Sequence, residues 1–129
     1  MTQLPKYDLE ERTARFGENI IKFCKNLLLN EFNRSLVSQI IRSATSIGAN
    51  YMEANGASSG KDFRNKIYIC KKEAQETKHW LRMLAVTDVA KQEELRVYWR
   101  EAQELTLIFQ RILMTLDGKN KKDGLKVEN

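Results

Sequence analysis

The clearest chemistry in this chain is a concentration of cations on one face of a predicted helix over residues 60–86. On a helical wheel with Ile67 at zero, this arc runs from about 20° to 140° and holds seven potential cations. They are Lys61, Arg64, Lys71, Lys72, Lys78, His79 and Arg82. Tyr68 lies within the arc, whereas Asp62, Glu73 and Glu76 lie on the other side, between about 180° and 240°. Such a face could contact a phosphate backbone, with Tyr68 available to stack on a base.

The same cationic face could instead serve solubility or bind an acidic protein. A solvated helix face often carries lysines that only keep the protein soluble, and an acidic protein partner would also fit the charge. The segregation of cations from acids is stronger than solubility requires, which favours nucleic acid. No recognised nucleic-acid motif indicates base-specific readout.

Catalysis and metal binding find little support in the sequence. Glu76 and His79 have the Glu-x-x-His spacing of di-iron bundles, but His79 is the single histidine and the wheel points it outward. Cys24 and Cys70 fall on apolar faces without an adjacent histidine, so we expect reduced core cysteines. There is no P-loop and no dinucleotide fingerprint. We therefore expect no catalytic residue, no metal site, no cofactor and no enzymatic activity.

Ile69 and Trp80 are candidates for a contact between subunits. Both lie near about 200° to 220° on the same wheel, away from the predicted core stripe. An exposed tryptophan calls for burial or a function, so a subunit interface would account for this pair. The alternative is a bundle wide enough to cover them.

Asn50 and Glu53 form a candidate structural pair near the end of a nearly uncharged segment. Between Ser35 and Gly60 the only charged residues are Arg42 and Glu53. We expect Asn50 to bond across helices and Glu53 to pair with a cation of the next helix or of a neighbouring subunit. The small side chains of the same segment should let another helix approach closely.

Apolar residues alternate at spacings of four and three along four segments, the rhythm of packed helices. The predicted helices cover about residues 8–29, 34–54, 60–86 and 91–116, with Asp8 and Ser59 as N-caps and Asp117-Gly118 as the final stop. The fold class is all-α: an up-down-up-down antiparallel four-helix bundle with left-handed packing. Residues 1–129 form a single domain, and residues 117–129 are predicted to be a flexible basic tail.

Composition agrees with a small, soluble helical domain. The chain has 129 residues, one proline and six glycines, which favours long helices over a sandwich or barrel. The net charge of +5 arises mainly in residues 33–90, which carry nine basic and five acidic groups. No apolar run could span a membrane, and no signal pattern is present, so we expect a cytoplasmic location and no membrane partner.

Residues 36–81 carry an ordered set of motifs across the second and third predicted helices. The set comprises Gln39, Arg42-Ser43-Ala44, Ser46-Ile47-Gly48-Ala49-Asn50, Glu53-Ala54, Ser59, Lys61-Asp62-Phe63, Lys72-Glu73-Ala74 and Glu76. In these motifs the chain resembles the four-helix-bundle family encoded in intervening sequences of bacterial 23S ribosomal RNA genes. The first and fourth helices match in pattern only, so the resemblance covers about residues 8–116.

The resemblance implies a four-helix bundle that usually assembles as a homopentamer. It also implies distant kinship with accessory proteins of diversity-generating retroelements, which work beside a reverse transcriptase. No catalytic residue is implied, and nucleic-acid association is the usual proposal for the family.

These observations lead to one functional hypothesis and one alternative. The hypothesis is a non-catalytic homo-oligomer, a pentamer, that binds RNA or DNA through the third helix. The predicted contacts are Lys61, Arg64, Tyr68, Lys71, Lys72, Lys78 and Arg82. The alternative is a protein-binding scaffold or an accessory factor for a nucleic-acid enzyme such as a reverse transcriptase.

Overall fold

Four antiparallel α-helices account for the fold. The computed structural model describes the backbone of residues 8–128 and the side chains of residues 8–118. The helices are α1 (Leu9–Lys25), α2 (Arg34–Asn55), α3 (Gly60–Thr87) and α4 (Gln92–Glu128), with a 3-10 turn at Val89–Lys91. α2 packs against α1 and α3, and α3 packs against α4. The prediction of an all-α up-down four-helix bundle is confirmed.

The residues that predict the helices by their spacing also form the core. The largest fully buried apolar side chains come from all four helices: Ile20, Ile40, Ile47, Ile67, Leu81, Leu84, Leu105 and Phe109. Burying each of them stabilises the fold by about 1.5–3 kcal/mol relative to exposure. The outer faces are charged, and no helix within residues 8–128 is long and apolar enough to cross a membrane.

A buried pair of hydroxyls joins α2 to α3 inside this apolar core. The Ser43 and Thr77 side-chain oxygens lie 2.8 Å apart, and the Thr77 oxygen also lies 2.8 Å from the Glu73 carbonyl. Ser43 Oγ in turn lies 3.4 Å from the Ile40 carbonyl, so each hydroxyl can use its one hydrogen toward the other hydroxyl or toward a carbonyl of its own helix. This chain of bonds satisfies both groups, which removes the penalty for burying them.

Small residues bring α1 and α2 into close contact. A Cβ placed on Gly48 would lie 3.3 Å from Thr13 Oγ1 and 3.4 Å from the Thr13 carbonyl carbon. A Cβ on Gly17 would lie 3.5 Å from Thr45 Cα. The nearly uncharged α2 therefore receives α1 on its small-residue side, as its composition predicts.

The helix α1 ends at Lys25, four residues before the predicted end at residue 29. The reason lies in two asparagines of the following loop. Asn30 Oδ1 accepts the Phe32 and Asn33 amides at 2.8 and 2.9 Å, and Asn33 Nδ2 donates to the Leu28 carbonyl at 3.1 Å. Asparagine side chains compete effectively with helical bonding in this way.

The helix α4 continues to Glu128, past the predicted end at residue 116. The prediction that a tail begins at residue 117 is therefore wrong, because the backbone of residues 117–128 is helical. Asp117-Gly118 does not stop the helix. No glycine in the described chain has a positive φ, so Gly118 does not make the left-handed cap typical of helix ends. Asp117 is instead held by Arg64 of α3.

The contact at Gly48 makes the first testable prediction. Gly48→Val should lower the free energy of unfolding by about 1–3 kcal/mol, because the branched side chain would meet the backbone of α1. The same change at Gly118, where a Cβ would have nothing within 4 Å, is the matched control. Gly118→Val should leave stability unchanged or raise it slightly. Urea unfolding followed by circular dichroism checks both, and equal stability of the two variants would contradict the tight α1–α2 contact.

Candidate nucleic-acid interface

The two sides of α3 contact different helices, and the acids Glu73 and Glu76 lie on the α2 side, together with Lys66, which pairs with Glu53 of α2. On the α2 side, Arg42 donates to Glu73 at 3.3 Å and also to Glu76. Trp80 Nε1 donates to Glu76 at 3.0 Å. These bonds, that of Trp80 first and then that of Arg42, hold the pKa of Glu76 below its ordinary value. Glu73 and Glu76 therefore attach α3 to α2.

On the opposite side, a ladder of polar contacts joins α3 to α4. Its three rungs are seven residues apart on each helix: Arg64–Asp117, Lys71–Gln110 and Lys78–Gln103. Arg64 makes a bidentate contact to Asp117 at 2.8 and 2.9 Å, and Lys71 Nζ donates to Gln110 Oε1 at 2.6 Å. The cationic row predicted from the sequence is thus the α3 half of an interhelical contact.

The three rungs differ in charge. Asp117 neutralises Arg64, and this contact raises the pKa of Arg64 and lowers that of Asp117. The glutamines carry no charge, so neither Lys71 nor Lys78, which are both half-buried, has a charged partner in its rung. Arg64 is consequently the least available of the predicted phosphate contacts.

The remaining predicted contacts lie at the surface around the ladder. Tyr68 is 49% exposed, and its ring centroid lies 6.0 Å from Lys71 Nζ. Lys61, Lys72 and Arg82 are exposed and form no ion pair with any carboxylate whose side chain the structure describes. Lys72 lies close enough to Glu76 to lower the pKa of that carboxyl.

α4 adds basic and aromatic residues that the sequence analysis does not single out. Arg96, Trp99 and Arg100 are exposed and line one cleft together with Arg82. The signal is present in the sequence, because Arg96, Trp99, Gln103 and Gln110 recur at three-, four- and seven-residue intervals that place them on one helix face. We refer to Lys61, Lys71, Lys72, Lys78, Arg82, Arg96 and Arg100 as the basic surface.

The two residues predicted at a subunit interface are half-buried in the single chain. Trp80 packs against the edge of the core, and its ring lies 4.9 Å from that of His79. Ile69 is partly exposed on the same helix. The bundle therefore covers part of each side chain and leaves part accessible.

Asn50 and Glu53 do not act as a pair. Asn50 Nδ2 donates to the Ser46 carbonyl at 2.9 Å, within α2 itself instead of across helices. Glu53 accepts from Lys66 Nζ of α3 at 2.6 Å, which is the type of partner expected for it. Both contacts are structural.

The thiols are poorly suited to nucleophilic chemistry. Burial raises the pKa of Cys24 to about 11 and that of Cys70 to about 12, so both are protonated near neutral pH. Among the side chains described, no group of three or more His, Cys, Asp or Glu residues is placed to hold a metal ion.

Comparison with known proteins identifies relatives of the whole bundle. The family model described as 23S rRNA-intervening sequence protein matches residues 6–111. A 1.70 Å crystal structure of a protein with unknown function from the S23 ribosomal protein family of Bacteroides thetaiotaomicron VPI-5482 is similar, with 34% sequence identity and a TM-score of 0.74. The match covers 81% of this chain and 96% of that one. None of the curated proteins matches the chain.

The lowered pKa of Glu76 gives a prediction for stability against pH. Its charged form is favoured in the folded state, so its contribution is present above the ordinary value of 4.5 and is lost as pH falls through the lowered value. Glu76→Gln should be less stable than the wild type at pH 7, by about 1 kcal/mol or less for a pair this exposed. The difference should shrink below pH 4.5.

Urea unfolding at neutral and acidic pH measures this difference. Glu18→Gln is the control, because Glu18 is exposed and forms no ion pair with any described side chain. A Glu76→Gln deficit that stays constant with pH would show that lost packing, not lost charge, causes it.

Proposed function

Because the chain belongs to the 23S rRNA-intervening sequence protein family, we propose that it is a non-catalytic, cytoplasmic protein that binds nucleic acid through the basic surface. The observation that supports this most strongly is the composition of the α3–α4 ladder. Two of its three rungs set a lysine against a neutral glutamine, so the positive charge is not cancelled. Glu73 and Glu76 pair with Arg42 of α2 instead of with Lys71 or Lys78.

The ladder itself argues against a purely structural use of these lysines. At the first rung, Arg64 of α3 forms a bidentate ion pair with the Asp117 carboxylate of α4. A carboxylate at position 103 or 110 would serve packing equally well and would add Coulomb attraction. Glutamine keeps the contact and leaves the lysine charge free to attract phosphate.

The basic surface fits contacts to the backbone better than readout of sequence. Lysine is a flexible point charge that approaches a phosphate from many directions. Such binding should depend steeply on salt and tolerate many sequences. Both RNA and DNA are therefore candidate ligands, and Tyr68 beside Lys71 could stack on an unpaired base.

Assembly would strengthen weak contacts of this kind. We propose that the protein is a homo-oligomer, a pentamer, with Ile69 and Trp80 at the contact between subunits. Their partly exposed apolar surface lies on the side of α3 away from the ladder, so assembly would leave the basic surface open. Repetition of the surface around a ring would raise affinity through avidity.

A second function, that of a scaffold or accessory factor for a protein such as a reverse transcriptase, is favoured by a different feature. Exposed apolar side chains occur at one end of the bundle: Leu28 and Phe32 between α1 and α2, Val86 in the last turn of α3, and Val89 in the 3-10 turn that follows. Exposed apolar surface of this kind often contacts another protein. It lies apart from the ladder, so the two functions can be separated by mutation.

Charge reversal tests nucleic-acid binding. The triple variant Lys71→Glu, Lys78→Glu, Arg82→Glu should lose at least about tenfold in affinity for mixed-sequence single-stranded RNA. The slope of log affinity against log salt should also become shallower by about 0.7 for each phosphate contact removed. Fluorescence anisotropy of a labelled strand at several salt concentrations measures both.

The control for this test carries the same change in net charge elsewhere. The control variant is Lys22→Glu, Lys25→Glu, Arg34→Glu. Like the first triple variant, it lowers the net charge from +5 to −1, because each substitution replaces a positive charge by a negative one. All three positions are exposed and lie on α1 or α2. Equal loss in both triple variants would mean that net charge alone attracts nucleic acid. Unchanged affinity in the first would exclude the basic surface.

The interface at Ile69 gives a separate prediction. The wild type should sediment as a multiple of 15.0 kDa, about 75 kDa for five copies, and Ile69→Asp should shift the mass towards 15.0 kDa. An aspartate buried between subunits would be a charge without a partner. Val86→Asp, at an exposed position near the end of α3, should keep the wild-type mass. Sedimentation equilibrium distinguishes these results, and an unchanged mass for Ile69→Asp would place the interface elsewhere.

A further inference from the structure

A cleft lies beyond the last rung of the ladder, between the end of α3 and the beginning of α4. Its volume is about 420 Å³, within the range typical of small-molecule sites. The residues that line it are Leu81, Arg82, Ala85, Gln92, Leu95, Arg96, Trp99 and Arg100. Leu81 and Leu95 are buried and form an apolar floor.

Three arginines, and no acid among the described side chains, line this cleft. Arg82, Arg96 and Arg100 make no ion pair with a carboxylate in the part of the chain with described side chains. The groove between α1 and α4 is different, because Arg12 there is held by Glu101 and Glu104. Guanidinium groups bind phosphate in a bidentate manner, so a cleft with three of them suits a phosphorylated ligand.

Trp99 supplies a flat apolar surface beside these arginines. Its side chain is 37% exposed, so part of the indole can contact a ligand. Lys78 Nζ lies 5.3 Å above the ring centroid, which fixes the ring from one side by a cation–π contact. Because Trp99 also lines the cleft, its ring offers a planar apolar surface to a ligand there.

The amide of Gln92 completes the polar lining. Gln92 Nε2 donates to the Ala85 carbonyl at 3.1 Å, which ties the beginning of α4 to the end of α3. This bond fixes the side chain and leaves its Oε1 as an acceptor. The cleft thus combines an aromatic face, several phosphate donors and one fixed acceptor.

We infer that this cleft binds one unpaired nucleotide, whose base stacks on Trp99 while Arg82, Arg96 and Arg100 hold its phosphate. The inference rests on the proposed nucleic-acid binding and names the chemistry of one site within it. A base inside a duplex offers no free face to Trp99, so the ligand is a free nucleotide or an unpaired position of a strand. The ladder lysines lead to the cleft and would contact the neighbouring phosphates.

The fluorescence of Trp99 can be used to measure binding of a ligand in the cleft. The chain has two tryptophans, and Trp80 does not line the cleft, so Trp80→Phe leaves Trp99 as the only one. Its fluorescence should be quenched by single-stranded oligouridylate, and not by an abasic strand of equal length or by duplex RNA. Quenching by uridine monophosphate at similar concentrations would indicate a free nucleotide as the ligand. Quenching by the strand alone would indicate an unpaired position.

Substitution of Trp99 in the otherwise unchanged protein provides the second measurement. Trp99→Leu keeps an apolar side chain but cannot stack, so affinity for oligouridylate should fall between about fivefold and 150-fold. Trp99→Phe retains an aromatic face and should recover most of the affinity. Neither variant should change binding of the abasic strand.

The outcomes separate this site from the proposed function. If the wild type binds oligouridylate and the Trp99→Leu variant binds it equally well, or if the abasic strand binds as tightly as oligouridylate, the stacking site is wrong and the basic surface stands. If the wild type binds none of these nucleic acids even at low salt, both proposals are wrong.

Discussion

The heptad register between α3 and α4 is the constraint on which the candidate site depends. Because the helices are antiparallel, moving seven residues forward along α3 corresponds to moving seven residues backward along α4. This register pairs Arg64 with Asp117, Lys71 with Gln110 and Lys78 with Gln103. The same register continues past the last rung and brings Arg82 beside Arg96 and Trp99. A shift by one residue would break all three rungs and separate the arginines. The core stripes of the two helices fix this register, so the packing of the bundle and the shape of the basic surface have one cause.

The fold could be predicted from the sequence because the spacing of apolar residues within each helix indicates both the helix and its buried side. A stripe such as Ile67, Cys70, Ala74 and Leu81 predicts both a helix and its buried side, and these residues are indeed buried. Helix ends were harder, because they depend on side chains that compete for the backbone. Asn30 and Asn33 end α1 early through bonds in the loop, and the tie from Arg64 to Asp117 comes from another helix. Neither effect follows from helix propensity.

The site was only partly predictable because a helical wheel describes one helix without its neighbours. It places Lys71 and Lys78 on the side opposite Glu73 and Glu76, and in the structure the first two contact α4 and the last two contact α2. It could not tell that Arg64 faces a carboxylate while Lys71 faces an amide. The sequence does not single out Arg96 and Trp99 for a related reason. On α4 they are flanked by Glu93, Glu94 and Glu101, so the sequence of that helix shows no excess of positive charge. Only the contact with α3 brings its basic face to the cleft.

The like charges on the α3–α4 face lower the stability of the fold, and a face that mixed cations with acids would avoid this loss. Lys78 and Arg82 are one helical turn apart, and a like-charged pair at this spacing destabilises a helix by about 0.2–0.5 kcal/mol. A glutamate at position 103 would relieve it and would add an ion pair to Lys78, worth about 1 kcal/mol for a pair that is still partly solvated. Most of the ion pairs between helices lie away from this face: Arg12 joins α1 to α4, and Arg42 and Lys66 join α2 to α3, whereas on the α3–α4 face Arg64 pairs with Asp117. On the α3–α4 face Asp117 compensates Arg64, but no carboxylate with a described side chain pairs with Lys71, Lys78 or Arg82. The lost stability is therefore accounted for if this face is a binding surface for a polyanion, as proposed, and is not accounted for by the packing of the bundle.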